Sequence, residues 1–312
     1  MDISKFWVVA VISNPVRYKT RYRLYNHFEK QIKEAGANLL TVEMAFGDRP
    51  HEITTRENPN HVQLRSFFEL WHKENMINIG ISRLPHDWEY VAWIDADILF
   101  QRPDWVSECV HQLQHYMVIQ MFSEAIDLGP TYEVLDRHKG FVKSYIDNDF
   151  RLPPSLNDCY YPFKNNWHPG YAWAARREAI EHLGGLIDWS ILGAGDAHMA
   201  WALVGDALRF IPAAMTNRYK RKVATWQQRS MKFIQKDIGY MPGTINHYWH
   251  GKKKDRKYAE RWKILTENHF DPDLDLKRDP QGLWQLTDHN WRLRDEIRMY
   301  FRARNEDSID IS

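Results

Sequence analysis

The sequence predicts an α/β fold: a mainly parallel sheet covered by helices on both faces. Two kinds of segment carry this expectation. Phe6–Ile12, Leu39–Phe46 and Tyr90–Ile94 are short, largely apolar runs with few polar interruptions, the pattern of strands buried on both faces. Between the first two, residues 21–35 place Leu24, Phe28, Ile32 and Ala35 on one face of a helix, and Gly36 follows as a stop signal.

The remaining elements follow in order. Ser13-Asn14-Pro15 is a turn, and Gly47-Asp48-Arg49-Pro50 breaks the second strand. Apolar residues at Phe67, Leu70, Trp71 and Ile77 predict one helix over 64–81. The strand ending at Ile94 runs into Asp95-Ala96-Asp97, and parallel sheets bind ligands at the carboxyl ends of their strands. Residues 127–166 have weaker periodicity and several Pro, Asn and Asp residues, and read as a long excursion suited to a wall or a lid. Ordered helix and strand return over 170–207, and a helix is expected around Trp291 to Arg302. The chain divides by composition into a main domain, 1–251, and a charged, partly helical extension, 252–312.

Composition narrows the class. With 42 Lys plus Arg against 41 Asp plus Glu, the chain does not coat nucleic acid by charge alone. Its two cysteines, Cys109 and Cys159, belong to no Cys/His cluster, so no zinc site is implied and reduced thiols in a cytoplasmic protein are expected. The first apolar run is too short to cross a membrane and lacks a signal-peptide cleavage pattern, so no transmembrane segment is expected. The 14 Trp and 15 Tyr serve either an aromatic core or ligand-stacking surfaces.

Asp-x-Asp occurs four times, at Asp95/Asp97, Asp147/Asp149, Asp271/Asp273 and Asp273/Asp275. Only the first directly follows a hydrophobic strand; the others lie in polar, turn-rich stretches and read as solvated carboxylates. Two carboxylates inside an apolar run are costly unless compensated, and a divalent cation compensates them while neutralising a bound diphosphate. The alternative is a strand-end turn in which both side chains cap backbone groups.

Several blocks, in order, resemble the metal-dependent glycosyltransferases of the GT-A fold, in particular beta-galactosyltransferases and polypeptide GalNAc-transferases. Pro15-Val16-Arg17 looks like the Pro-x-Arg turn that meets the nucleotide. Lys73-Glu74-Asn75-Met76-Ile77-Asn78-Ile79-Gly80 looks like the family's Asn-x-Gly helix end, and Asp95-Ala96-Asp97 matches its Asp-x-Asp. Gly170-Tyr171-Ala172-Trp173-Ala174-Ala175-Arg176, Leu183-Gly184-Gly185, Asp188 and Gly193-Ala194-Gly195-Asp196 are similar to its acceptor-side block. His247-Tyr248-Trp249-His250-Gly251-Lys252-Lys253-Lys254 resembles the late histidine that completes the metal site.

The resemblance implies a nucleotide-diphospho-sugar transferase fold and transfer of a sugar from a nucleotide-diphosphate donor, a UDP-sugar, to a hydroxyl acceptor. It implies Mn2+ or Mg2+ held by Asp97 and a late histidine, with Asp95 on the ribose and near the metal. Of the two histidines an extended strand would bring only one to the metal, and His250 is preferred over His247. Pro15, Arg17, Glu43, Asn78 and Lys253 are the further donor-side candidates, and Trp167, Gly170 and Trp173 the acceptor-side ones. The lone acid of the Gly195-Asp196-Ala197-His198 loop makes Asp196 the catalytic candidate, as base or as acceptor-orienting group, with Asp188 and His198 in reserve. The family's galactosyltransferases carry several consecutive acids there, so inversion or retention does not carry over.

Other clusters have plainer readings. His111 and His115 stand four apart, on a stretch expected to be helical, without a third ligand nearby, and read as structural. The basic run from Lys252 to Arg261 and the cluster Arg218 to Lys222 are solvated faces or phosphate contacts, which keeps a modified nucleic acid among the acceptors with a glycan, a lipid-linked sugar or a protein. Nucleotidyl transfer in sugar-nucleotide synthesis is a second reading, disfavoured by the lack of a Gly-rich basic loop after the first strand. A non-catalytic carbohydrate-binding protein on the same fold is a third.

Overall fold

The computed structural model describes residues 2–151, 167–258 and 260–311. Cys159 and the end of the expected excursion lie outside them. In chain order the elements are β1 (Phe6–Ser13), α1 (Lys19–Glu34), β2 (Asn38–Phe46), β3 (His61–Ser66), α2 (Lys73–Ile81), β4 (Tyr90–Ile94), β5 (Ile98–Phe100) and α3 (Trp105–Gln112). There follow β6 (Val118–Gln120), β7 (Glu124–Leu128), β8 (Val134–Gly140), α4 (Phe141–Asp147), β9 (Trp167–His168), β10 (Ala172–Arg176), α5 (Arg177–Leu183) and α6 (Gly195–Leu203). The chain closes with α7 (Asn217–Phe233), β11 (Ile238–Tyr240), β12 (Thr244–His247), α8 (Glu260–Glu267), β13 (Leu276–Arg278), β14 (Trp284–Leu286) and α9 (Trp291–Ala303).

Among the described residues the main sheet runs β11-β6-β10-β4-β1-β2-β3. β3, β2, β1 and β4 are mutually parallel, and so are β6 and β11; β10 runs against both of its neighbours. The apolar runs are continuous because both faces are covered. Along β1, Val9 packs into one core with Leu40, Val42 and residues of α2, α6 and α7. Phe6, Val8, Ala10 and Ile12 point the other way, against Tyr25, Phe28 and Ile32 of α1 and Trp105 of α3.

The expected helix over 64–81 is a strand followed by a helix. Thr41–Phe46 takes up His61–Ser66 in parallel register, which satisfies the backbone of that stretch and leaves Phe67 exposed. The helix starts only at Lys73. Its Asn-x-Gly end is architectural. Asn78 donates to Leu186 O (3.0 Å) and Asp188 Oδ2 (3.2 Å) and accepts from Leu186 N (2.8 Å), while a Cβ at Gly80 would run into Val9 and Val42. The expected excursion begins as ordered structure, the antiparallel pair β7–β8 and then α4.

Residues 252–311 do not stand apart: Trp262, Leu265, Phe270, Leu283, Leu293, Ile297 and Phe301 join the same core as Val9 and Trp93. Asp147 is exposed and pairs with Lys139 and Lys143, Asp271 meets Arg218 and Asp273 meets Lys222. Asp275 is buried rather than solvated and accepts the Asp271 N–H at 2.8 Å. Among the described residues no helix is long and apolar enough to cross a membrane.

His198, a reserve catalytic candidate, lies fully buried among Phe210, Tyr219 and Trp262, its Nε2 2.7 Å from the Tyr219 hydroxyl. Burial, with the Arg261 charge adding to it, pushes its pKa down to about 3 from 6.5. Unfolding therefore takes up a proton at His198 below pH 6.5, and stability is lost as pH falls from there toward the folded pKa. The stability margin of the wild-type chain over His198→Gln is expected to shrink by about 1.2 kcal/mol between pH 6 and 5, measured by urea unfolding. A margin constant over that window would show that His198 titrates normally in the folded state.

Candidate functional site

A second, smaller sheet builds the site. β4 of the main sheet ends at Ile94, and Asp95-Ala96-Asp97 crosses to β5, which lies at the edge of a sheet ordered β5-β12-β7-β8-β9. β12 pairs antiparallel with β5, matching His247 to Ile98, and parallel with β7, matching His247 to Asp127. The Tyr248 N–H donates to Asp97 O at 2.8 Å. Backbone pairing alone thus gathers Asp97, Asp127 and His247, which lie far apart in sequence.

Three side chains converge there. Asp97 Oδ2 lies 3.0 Å from His250 Nε2 and 3.7 Å from His247 Nε2, and the two Nε2 atoms are 3.2 Å apart. Ligands on adjacent positions around an ion with bonds of about 2.1 Å stand about 3 Å apart, so this spacing suits one cation. Asp97 Oδ1 is buried and has no hydrogen-bond partner among the described residues. Burial works against charge on Asp97, but the His250 and His247 rings and the Arg256 guanidinium outweigh it and hold its carboxyl well below the usual range. Burial and Arg256, which donates to Nε2 at 2.7 Å, push His250 down to about 4; the ring is neutral and its Nε2 lone pair, now accepting from Arg256, is the one a cation would take over. An orphaned carboxylate oxygen and two imidazole nitrogens fit a divalent cation. The extended-strand expectation for the histidines is corrected: β12 ends at His247, the chain turns, and both rings arrive on the same side.

Behind His247 stands Asp127, 3% exposed. Its Oδ1 accepts from His247 Nδ1 (2.8 Å) and from the Tyr171 hydroxyl (2.9 Å), and its Oδ2 accepts from His138 Nε2 (2.6 Å). With Nδ1 donating to the carboxylate, His247 turns the lone pair of Nε2 toward Asp97 and His250. Asp127, Asp136 and His138 form a second acid–histidine group. The Lys253 ammonium already lies 2.5 Å from Asp127 and 3.5 Å from Asp136, so Lys253 serves that group rather than a donor directly.

Asp95 does not join the three. Its carboxylate meets the Lys73 ammonium; burial raises its pKa while Lys73 opposes the shift. Both line the cavity beside the three converging groups, together with Arg21, Glu74, Asp196, Arg256, Arg261, Arg304 and Glu306. Asp196 stands in the first turn of α6, its Oδ2 against Gly170, where a Cβ would collide with it. Trp71, Tyr171, Phe210, Tyr258 and Trp262 supply aromatic walls.

Other sequence candidates have structural places. Glu43 is 3% exposed and spends both oxygens on the N–H groups of Glu52, Ile53 and Thr54 and the Thr54 hydroxyl (2.7–3.0 Å), so it shapes a loop rather than meeting a nucleoside. Pro15 is buried, and Arg17, exposed at φ 66°, pairs with Glu52 outside the cavity lining. Trp167 packs on Phe141 and Trp201, and Trp173 donates to Pro169 O at 2.8 Å; both are core, not stacking surfaces. Asp188 holds Arg278 (2.7 Å) and the Trp284 indole (3.0 Å) away from the cavity lining. His111 and His115 are exposed and belong to neither acid–histidine group, His115 lying beyond the end of α3. Asp127 was missed although it is a lone acid in the apolar run Ala125-Ile126-Asp127-Leu128, the same signal that marked Asp95 and Asp97. Arg21 and Glu306 gave no comparable local signal.

No protein-family model matches the chain, and no curated protein matches it in sequence. Among solved structures it is similar to a Drosophila beta-1,4-galactosyltransferase 7 mutant in complex with manganese, UDP-Gal and xylobiose, at 11% identity over 90% of this chain and 94% of that one, TM-score 0.40. It is similar to S. aureus TarS at 11% identity over 73% and 72%, TM-score 0.37. A third is mannosyl-3-phosphoglycerate synthase from Rubrobacter xylanophilus, at 14% identity over 90% and 83%, TM-score 0.36. At such identities and TM-scores, function has to be read from the site's own geometry.

The C-terminal segment after α9 forms part of one wall. Glu306, 1% exposed, takes Arg21 at 2.5 and 2.6 Å and Arg304 at 2.6 Å, and Asp307 accepts the Lys19 and Thr20 N–H groups at the start of α1. Burial opposes charge on Glu306, yet Arg21 and Arg304 hold its carboxyl well below the usual range. Glu306→Gln leaves two guanidiniums without their anion and is expected to cost about 3 kcal/mol of stability by urea unfolding at pH 7. A loss under about 0.5 kcal/mol, the size of a surface change, would mean that the tail is not held by this pair.

Proposed function

We propose that the chain is a glycosyltransferase that moves a sugar from a nucleotide-diphosphate donor, a UDP-sugar, to a hydroxyl acceptor, with a divalent cation held by Asp97, His247 and His250. The observation that carries this reading is the convergence of those three groups, with Asp97 Oδ1 left over, just beyond the carboxyl end of a parallel strand. The same donor set serves non-haem iron. The surroundings favour a diphosphate. Arg21, Lys73, Arg256, Arg261 and Arg304 line the cavity against five carboxyls, so a divalent cation tips the balance to positive. Two imidazole ligands favour Mn2+ over Mg2+, which prefers oxygen.

The bound cation would neutralise charge on the diphosphate leaving group. The chain's own groups do the rest. Lys73 and Arg256 face the same space and stabilise leaving phosphate oxygens, while Asp95, steered by Lys73, receives a ribose hydroxyl. Asp196, across the cavity, holds the attacking hydroxyl. Tyr171 and Asp127 fix the His247 ring. A glycan, a lipid-linked sugar or a protein remains in the acceptor class. Arg218 and Lys222 already pair with Asp271 and Asp273, which weakens the case for a nucleic acid. A cytoplasmic location belongs to the same proposal and rests on the sparse cysteines.

The test is a panel of UDP-sugars with Mn2+. Released sugar is expected; pyrophosphate exchange instead would favour nucleotidyl transfer, and neither activity a binding protein. UDP affinity should fall at least tenfold with chelator and in Asp97→Ala. Asp127→Asn, which weakens the hold on the His247 ring, should lower Mn2+ affinity by roughly 10–100-fold in direct titration. UDP binding indifferent to both chelator and Asp97→Ala would remove the metal from the reading.

A further inference from the structure

Glu74 has no role in the scheme above, yet its placement is unusual. It stands in the first turn of α2 beside Lys73, is 4% exposed, and lines the cavity. Its carboxyl lies flat against Gly195, where a Cβ would stand 2.8 Å from Cδ and 2.9 Å from Oε1, so the loop before Asp196 needs glycine at that position to admit it. Among the described residues no other side chain hydrogen-bonds it, and its own backbone N–H helps hold its charge. Every other buried carboxylate at the site has a fixed partner: Asp97 has His250, Asp127 has His138 and His247, and Glu306 has Arg21 and Arg304. A buried carboxyl without such a partner is costly to keep unless a ligand group completes it.

Resting on the glycosyltransferase reading, we propose that Glu74 is the general base, taking the proton from the acceptor hydroxyl that Asp196 holds. The hydroxyl oxygen forms the new bond to the anomeric carbon, the bond from that carbon to the diphosphate oxygen breaks, and the diphosphate leaves with the electron pair. The hydroxyl proton passes to Glu74 Oε. Glu74 and Asp196 enter the cavity from the first turns of α2 and α6, and Glu74 is the more deeply buried of the two.

The surroundings suit a base. Burial raises Glu74 to about 8, with the Lys73 ammonium opposing and the charges of Asp196 and Asp95 adding to it. From α7 the Tyr219 ring feels the Glu74 charge, and from α8 Arg261 lines the same cavity. A carboxyl with its pKa raised toward working pH is a stronger base than an ordinary one and still partly ionised there.

The experiment uses the full chain with Mn2+, the UDP-sugar hydrolysed fastest among UDP-galactose, UDP-glucose, UDP-N-acetylglucosamine and UDP-N-acetylgalactosamine, and water as acceptor. Wild-type kcat is expected to rise with pH and level off near pH 8. Glu74→Gln should lose about 100-fold or more and the rising limb with it, while UDP affinity in Mn2+ stays within about threefold. Asp196→Asn should slow turnover but keep the limb, and Glu74→Asp should recover part of the rate with a displaced limb. Glu74→Gln that binds UDP and keeps the limb, or turns over within threefold of wild type, overturns the assignment. So does Glu74→Asp with no limb, should the glutamine variant fail to fold. A wild-type chain that neither binds UDP with Mn2+ nor hydrolyses any donor fails at the earlier step, the glycosyltransferase reading itself.

Discussion

Asp127 is the contact on which the site depends. A carboxylate this deeply buried survives only when each oxygen is bonded, and here His247 and Tyr171 satisfy one oxygen while His138 and Lys253 satisfy the other. Those bonds tie together the end of β12, the turn before β10, the middle of β8 and the basic run after Gly251. The His247 ring is thereby aimed at Asp97. Without this anchor the His247 ring would lose the partner of its Nδ1, and Nε2 would no longer be held toward Asp97.

How much of this was legible in the sequence follows from the range of each signal. β1, β2, β4, α1 and α9 were readable because their patterns are local: continuous apolar runs for strands covered on both faces, and a 3.6-residue stripe for amphipathic helices. The stretch 64–81 misled because Phe67, Leu70 and Trp71 mimic a helical stripe, whereas pairing to β2, a long-range term, holds the chain extended up to Ser66 and the helix starts only at Lys73. Asp97, His247 and His250 were found through motif and order. That both histidines converge required the turn after β12, which residue spacing does not encode. Trp167, Trp173 and Glu43 looked functional because large aromatics and strand-end acids are chemically versatile; burial and backbone partners settle them as structural. Pro15 and Asn78 likewise belong to the scaffold.

The C-terminal residues show why composition is a poor guide to domain limits. The run from Lys252 onward is charged enough to look like an appendage, but charge is spent inward. Arg304 lies over the Trp71 ring at 5.2 Å and bonds Glu306, which in turn holds Arg21 of α1. Lys252 meets Asp310, and Trp249 donates to Ser308 O at 2.6 Å. α1 has no capping side chain of its own at Tyr18, and Asp307 supplies the missing acceptor from the far end of the chain. The tail is thus part of the cavity wall, tied to α1 through Arg21 and to Trp71 before α2 through Arg304. Because Glu306 already pairs with both Arg21 and Arg304, a diphosphate entering there would compete with an internal carboxylate for them. On the proposed reading, that competition would lower the gain from each phosphate contact and leave more of the recognition to a cation at Asp97 than to these arginines.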